Sequence, residues 1–147
     1  MGVETIAVAS DHAGYDLKED LKTELREKGF DVLDLGCDGA ASVDYPDFGA
    51  AMGKAISGGE VKRGVVVCGS GIGISIAANR NPAVRAALVQ TGLAARLARQ
   101  HNDANVLALG ARLIGIETAK DCLENFLNTD FEGGRHQRRV DKLGTCG

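Results

Sequence analysis

The sequence lacks several features that mark particular classes of protein. It has no Trp and only four Phe and two Tyr among 147 residues, which argues against the aromatic surfaces that stack on single-stranded nucleic acid. No apolar run approaches the roughly 18 residues that a membrane-spanning helix needs. The N-terminal segment has neither the charged nor the apolar region of a signal peptide. We therefore expect a cytoplasmic protein that binds neither nucleic acid nor membrane.

Charge and cysteine spacing exclude further classes. The formal net charge of −3 gives no general attraction to anionic polymers or lipids. The four cysteines, Cys37, Cys68, Cys122 and Cys146, form no C-x-x-C pair, so their spacing predicts neither a zinc site nor a disulfide framework. Each is interpreted as a free thiol in a reducing compartment.

Short β-rich runs alternate with helical patterns along the chain. Leu17, Leu21 and Leu25 lie on one face of a helix, and Asp44 and Pro46 are suited to begin another. The alternation predicts an α/β fold, a Rossmann-like doubly wound five-stranded parallel sheet in three αβα layers, as a single domain over residues 1–147. The predicted strands are residues 5–9, 31–35, 64–68, 85–89 and 105–109, and the later helices are residues 92–100, 116–127 and about 135–143.

Polar residues follow several of the predicted strands and helices. Folds of this class bind ligands beyond the carboxyl ends of their strands, and we expect the polar segments to share one crevice there. These segments are Ser10-Asp11-His12, residues 68–73, His101-Asn102-Asp103, Gly110-Ala111-Arg112 and residues 133–139.

The segment Gly69-Ser70-Gly71-Ile72-Gly73 is a glycine-rich loop that leads into a helix. Glycines let backbone N–H groups approach a ligand, and a helix N-terminus attracts negative charge. The loop is thus suited to a phosphate or a developing enediolate, although a plain tight turn is an alternative. A dinucleotide site is less favoured, because the spacing is not G-x-G-x-x-G and no acidic residue follows near Val89.

Cys68 immediately precedes this loop, and a thiol near a helix N-terminus can act as a thiolate. The alternative is a buried core cysteine. His12 and His101 have polar neighbours and can transfer protons near neutral pH, or they are ordinary surface histidines. No spacing of these histidines matches a zinc pattern, so no metal site is predicted.

Arg135 and Arg139 are four residues apart, so a helix places them on one face. Two guanidinium groups on one face suit bidentate binding of phosphate. A basic, solvated surface segment is the alternative.

Taken in order along the chain, these residues resemble the type B ribose-5-phosphate isomerases and their sugar-phosphate isomerase relatives. The resemblance covers nearly the whole chain. It is carried by Ser10-Asp11-His12-Ala13-Gly14, Asp44-Tyr45-Pro46, residues 68–79, Arg99-Gln100-His101-Asn102-Asp103 and Glu132-Gly133-Gly134-Arg135-His136.

The resemblance implies interconversion of ribose 5-phosphate and ribulose 5-phosphate, with a sugar phosphate as the only small-molecule partner and with no metal or cofactor. It implies that Cys68 is the base and that His101 assists opening of the furanose ring. By the same resemblance, Ser70 and the N–H groups of Gly69, Gly71 and Gly73 are expected to stabilise the enediolate. It further implies that Asp11, Asn102 and Tyr45 lie at the sugar and that His12, Arg112, Arg135 and Arg139 hold the phosphate.

Members of this family are homodimers or homotetramers whose sites are shared between subunits, and we expect the same here. Some relatives have a carboxylate base where this chain has Ile74, which cannot accept a proton, so the role falls to Cys68. Many have Thr where this chain has Ser70. Isomerisation of allose 6-phosphate, galactose 6-phosphate or a tetrose phosphate remains open, as does a non-catalytic sugar-phosphate-binding module.

Overall fold

A five-stranded parallel sheet forms the centre of the protein, whose computed structural model describes residues 2–145. The strand order is β2-β1-β3-β5-β4, and all four strand pairs are parallel. This confirms the predicted sheet. The strand predicted at residues 85–89 is shorter in the structure, where three residues pair with β5 at the edge of the sheet. The strands are β1 (Thr5–Ser10), β2 (Asp31–Asp34), β3 (Arg63–Cys68), β4 (Ala86–Leu88) and β5 (Val106–Gly110).

Helices cover both faces of the sheet and give the three predicted layers. Buried side chains of α1, α4 and α5 pack on one face, and those of α2 and α3 pack on the other, while α6 packs against α4. The helices are α1 (Tyr15–Glu27), α2 (Tyr45–Ser57), α3 (Ile72–Asn79), α4 (Gly92–Asn102), α5 (Ile116–Asn128) and α6 (Arg135–Leu143).

The apolar character of β3 follows from its central position. Val65 and Val67 point into the core beneath α1 and α5, whereas Val66 and Cys68 point into the core beneath α2 and α3. Successive side chains of a strand alternate between faces, so a strand covered on both sides has no polar position until it ends. Each of these four side chains is at most 5% exposed.

The carboxyl ends of β1 and β3 lie side by side, with Ser10 opposite Val67 in the register. From there the chain goes in opposite directions, since α1 leads to β2 on one side and α3 leads to β4 on the other. Such a reversal opens a crevice at the carboxyl edge of a parallel sheet. The backbone N–H of Asp11 donates to the carbonyl of Val67 at 3.3 Å, which joins the two strand ends.

The helix α4 runs back across the sheet and ends at its amino edge. Its last residues lead through Asp103 to Asn105, whose carbonyl accepts the N–H of Gly64 near the start of β3. The C-terminal end of α4 and the helix packed on it therefore lie away from the crevice. Within residues 2–145, no helix combines the length and the hydropathy that crossing a bilayer requires.

Candidate active site

The sulfur of Cys68 lies at the start of the glycine loop and accepts a hydrogen bond from the N–H of Gly71, at 3.1 Å. The Cys68 side chain is 5% exposed and packs on the α2–α3 side of the sheet. Gly71 has a φ of 78°, and a Cβ there would lie 2.9 Å from the carbonyl oxygen of Leu109. Only glycine fits both the left-handed backbone and the close approach of β5. The loop thus points a backbone donor at the Cys68 sulfur.

Ser70 and Arg112 both make contacts within the glycine loop. The hydroxyl oxygen of Ser70 accepts the N–H of Ile72 at 3.2 Å, at the first turn of α3. The backbone N–H of Arg112 donates to the carbonyl of Gly69 at 2.9 Å. A Cβ on Gly69 would lie 3.2 Å from Nη1 of Arg112, so the guanidinium group lies directly beside the loop. A fixed cation next to backbone donors can receive an anionic group.

Asp11 and His12 occupy the turn between β1 and α1. Asp11 is 6% exposed, and its Oδ1 accepts the N–H of Gly14 at 3.0 Å. His12 Nδ1 accepts the N–H of Val43 at 3.2 Å. A neutral imidazole that accepts at Nδ1 carries its proton on Nε2, so His12 has a donor available for an anion.

Tyr45 lies over the far end of the glycine loop. Its ring covers Gly73 so closely that a Cβ on Gly73 would overlap the ring. Tyr45 is the first residue of α2, which follows Asp44 as predicted, and its side chain remains 43% exposed. The structure therefore gathers eight of the predicted site residues at the carboxyl edge, together with Cys68: Asp11, His12, Tyr45, Gly69, Ser70, Gly71, Gly73 and Arg112.

Sequence reasoning missed a buried lysine beside this edge. Lys18 is 1% exposed, and its Nζ donates to both carboxylate oxygens of Asp34, at 2.8 and 3.0 Å, and to the carbonyl of Cys37 at 2.8 Å. Asp34 also binds Lys22. Burial by itself raises the pKa of Asp34, but the hydrogen bonds from Lys18 and Lys22 outweigh it and lower the pKa. Helical periodicity offered a partial signal, since Lys18 adjoins the apolar stripe of α1.

The remaining predicted site residues lie elsewhere. His101 and Asn102 end α4 at the amino edge of the sheet, and Arg135 and Arg139 lie on α6, which packs against that helix. The expectation that one chain gathers all polar segments in one crevice is wrong, because a helix between parallel strands runs opposite to them. His101, Asn102 and Arg139 line a separate cleft of about 250 Å³.

His136 is a member of this second group that the sequence did not single out. Its ring stacks on that of His101, with centroids 4.6 Å apart and planes 17° apart. Burial lowers the pKa of His136, and the neighbouring charges of His101 and Arg135 lower it further. Donor atoms of His101, Glu132 and His136 all lie within 4.8 Å of one another. The fold thus joins two histidines 35 positions apart, a grouping that spacing along the chain does not indicate, and the absence of a metal site stays a prediction.

The two other cysteines in the described part of the chain are free thiols, as predicted. Cys37 and Cys122 are free and buried. Burial raises the pKa of Cys122 to about 11, which keeps it protonated near neutral pH. Cys146 lies outside the described residues.

Comparison with known proteins identifies relatives of the whole chain. The sequence model of the Ribose/Galactose Isomerase family matches residues 6–143. Ribose-5-phosphate isomerase B of Escherichia coli K12 is 43% identical over 141 residues, covering 96% of this chain and 95% of the relative.

Solved structures agree with this similarity. A ribose 5-phosphate isomerase of Thermotoga maritima superposes with a TM-score of 0.95 at 48% identity, over 97% of this chain and 99% of that one. Ribose-5-phosphate isomerase B of Mycoplasma genitalium, solved with bound ribulose-5-phosphate, gives a TM-score of 0.90 at 42% identity, over 96% and 94% of the two chains.

Proposed function

The chain belongs to the Ribose/Galactose Isomerase family, and we propose that it interconverts D-ribose 5-phosphate and D-ribulose 5-phosphate. The observation that carries the proposal is the hydrogen bond from the Gly71 N–H to the Cys68 sulfur. It places a nucleophilic atom that can accept a proton at the mouth of a loop rich in backbone donors. Aldose–ketose isomerisation needs this pairing of a base with a receptor for an oxyanion. Among the described residues, Cys37, Cys68 and Cys122 are free thiols, which fits the reducing cytoplasm that we expect for the reaction.

In the proposed reaction, Cys68 acts as the base on the open-chain sugar. The Cys68 thiolate removes the proton from C2, and the electron pair of that bond forms a C1–C2 double bond while the C1 carbonyl oxygen becomes the enediolate oxygen. The thiol then returns the proton to C1, and the proton on O2 passes to O1, so that C2 becomes the ketone and C1 carries a hydroxyl group. Loss of one oxyanion donor typically costs on the order of 100-fold or more in rate.

The loop divides its donors between base and substrate. The N–H of Gly71 donates to the Cys68 sulfur and that of Ile72 donates to Ser70. We therefore assign the enediolate to the remaining donors, the N–H groups of Gly69, Ser70 and Gly73, with the Ser70 hydroxyl. The family resemblance implied that the N–H of Gly71 binds the enediolate. We instead propose that this N–H stabilises the Cys68 thiolate.

A complete site requires a second copy of the chain. In the proposed mechanism His101 opens the furanose ring, Asn102 contacts the sugar, and Arg135 and Arg139 bind the phosphate with His12 and Arg112. His101, Asn102, Arg135 and Arg139 all lie toward the amino edge. We therefore infer that they act on the sugar phosphate that is bound at Cys68 of the partner subunit, in a homodimer or in a tetramer built from such dimers.

An exposed apolar surface supports this association. Ile72 and Ile76 on α3 and Leu93 on α4 are each at least 50% exposed, and Leu88 on the edge strand β4 is 37% exposed. Large apolar side chains that solvent reaches on neighbouring elements are typical of an interface between subunits. Such an interface would also cover the free edge of β4.

The test combines turnover with proton exchange. Cys68→Ala should reduce isomerisation of ribose 5-phosphate by about 10²–10⁴-fold, the usual contribution of a general base, and should abolish exchange of the C2 proton in heavy water while ribose 5-phosphate still binds. Cys122→Ala, on α5, is the matched control and should keep both activities. If Cys68→Ala still exchanged the C2 proton, the assignment of Cys68 as the base would be refuted.

The same assay on a panel of five- and six-carbon aldose phosphates settles the substrate. The highest kcat/KM should be obtained with ribose 5-phosphate. Binding of these sugars without any exchange in the unaltered protein would instead indicate a non-catalytic sugar-phosphate-binding module.

A further inference from the structure

Two histidines and a glutamate meet at the end of α4, outside the group of residues at the carboxyl edge. One donor atom each of His101, Glu132 and His136 lies within 4.8 Å of the others. Backbone hydrogen bonds hold the segments that carry them, since the N–H of Glu132 donates to the carbonyl of Gln100 at 3.1 Å and the N–H of His136 donates to that of Gly133 at 3.0 Å. The cluster is therefore part of the folded framework.

We propose that His101, Glu132 and His136 form a binding site for a transition-metal dication such as Zn²⁺ or Co²⁺, and that the bound ion inhibits the enzyme. Two imidazoles and one carboxylate are the ligand set that these ions prefer. Three protein ligands leave a fourth position for water, so the site can load from solvent. The half-exposed Glu132 provides that access, with its carboxylate 3.6 Å from Nε2 of His136.

The stacked rings set the movement that binding requires. A metal lies in the plane of each imidazole that binds it, whereas the rings of His101 and His136 are nearly parallel at 4.6 Å. One ring must therefore turn about its Cβ–Cγ bond. Ligand atoms of a tetrahedral zinc site are about 3.4 Å apart. The donor atoms of the cluster lie within 4.8 Å of one another, so they need to approach by only a little over 1 Å.

Local charge makes Glu132 the decisive ligand. Arg135 and Arg139 both act electrostatically on His136, and their positive charges oppose a dication. Glu132 supplies the only carboxylate in the cluster, and its charge offsets this repulsion. Two histidines without Glu132 would bind the ion much more weakly.

Inhibition follows from the shared use of His101, and this part of the inference rests on the proposed function. An imidazole nitrogen bonded to a metal cannot transfer a proton to or from the furanose ring. The cleft that His101 and His136 line also contains Asn102 and Arg139, so a bound ion would occupy the position proposed for the sugar phosphate.

Binding is tested with Co²⁺, whose visible absorption reports tetrahedral ligation, on the full chain carrying Cys68→Ala so that the loop thiol cannot bind the metal. We expect one Co²⁺ per chain, with affinity at least about tenfold lower after Glu132→Gln or His136→Gln. Glu27→Gln, an exposed residue at the end of α1, makes the same charge change and should leave affinity unaltered. If Glu132→Gln and its parent bound Co²⁺ with equal affinity, the proposed metal site would be refuted.

Inhibition is tested separately with Cys68 intact. Zn²⁺ should inhibit the isomerase, and a chelator should restore it, while Glu132→Gln should keep its metal-free activity and require at least about tenfold more Zn²⁺. Equal inhibition of both proteins would show that the ion acts elsewhere and would refute the regulatory part. The Co²⁺ titration needs no turnover, so it succeeds or fails independently of the proposed substrate.

Discussion

Cys68 and His101 of one chain lie at opposite edges of the same parallel sheet. Cys68 is the last residue of β3, whereas His101 ends α4 beside the residues that lead into β5. Gly64, which is hydrogen-bonded to Asn105 just beyond the end of α4, lies four residues before Cys68 in β3. The rise of a strand over four residues separates the two ends by roughly 13 Å. A base and a ring-opening group that act on one small sugar must be closer than this, so the roles proposed for Cys68 and His101 require a site composed of two chains.

Mixing two inactive variants should restore activity if the site is shared. A dimer of one Cys68→Ala chain and one His101→Asn chain contains one site with both defects and one intact site. Random 1:1 association should therefore give about one quarter of wild-type activity. The measurement is turnover of ribose 5-phosphate after the variants are co-expressed.

The contrary outcome is equally clear. If each chain held a complete site of its own, every site in the mixture would carry a defect, and co-expression would restore nothing. Mixing of the subunits is verified by pulling down one tagged variant with the other.

Gly71→Ala should impair both stability and catalysis. The substitution forces a left-handed alanine, which costs about 1–3 kcal/mol, and sets its Cβ against the backbone of Leu109. The displaced N–H should no longer reach the Cys68 sulfur, so kcat should fall more than KM changes. Denaturant unfolding and steady-state kinetics measure the two effects.

Gly59→Ala is the matched control for backbone strain. Gly59 has a φ of 77°, almost that of Gly71, but a Cβ there meets nothing within 4 Å. It should lose stability through strain alone and keep its kcat. An unaltered kcat in Gly71→Ala as well would contradict the role assigned to the Gly71 N–H.

Removal of Asp34 should destabilise the fold more than removal of Lys18. Lys18 is 1% exposed, so Asp34→Ala leaves a buried ammonium group without its carboxylate, a loss of about 3 kcal/mol. Lys18→Met keeps the apolar stem, and Asp34 retains Lys22 and its access to water, so about 1 kcal/mol is expected. Urea unfolding at one fixed protein concentration compares them, and the reverse order would refute the asymmetry.

Asp34 should also contribute to the acid sensitivity of the protein. Its folded pKa is lowered by Lys18 and Lys22 against the opposing effect of burial. Its stabilising contribution is thus complete above the unfolded carboxyl value of about 3.9 and is lost as the pH falls through the lower folded value. Below about pH 4, the free energy of unfolding should fall more steeply in the parent than in Asp34→Asn. If the free energy of unfolding depended on pH in the same way in both proteins, Asp34 would not contribute to the acid sensitivity.

Much of the fold was predictable from local patterns. The apolar run at residues 64–68 predicted a central strand because a strand covered on both faces excludes polar side chains. The stripe of Leu17, Leu21 and Leu25 predicted α1 for a similar reason. The glycine loop and Cys68 were adjacent in sequence, so their association needed no knowledge of the tertiary structure.

The sequence by itself thus determined the strands, the helices, the parallel sheet and the position of Cys68 at the loop, because each depends on residues close together in the chain. Only the tertiary structure decided that His101 belongs to the amino edge, that Lys18 is buried against Asp34, and that His101 meets His136. These relationships depend on the direction in which helices cross the sheet and on contacts between residues distant in sequence, which periodicity does not encode.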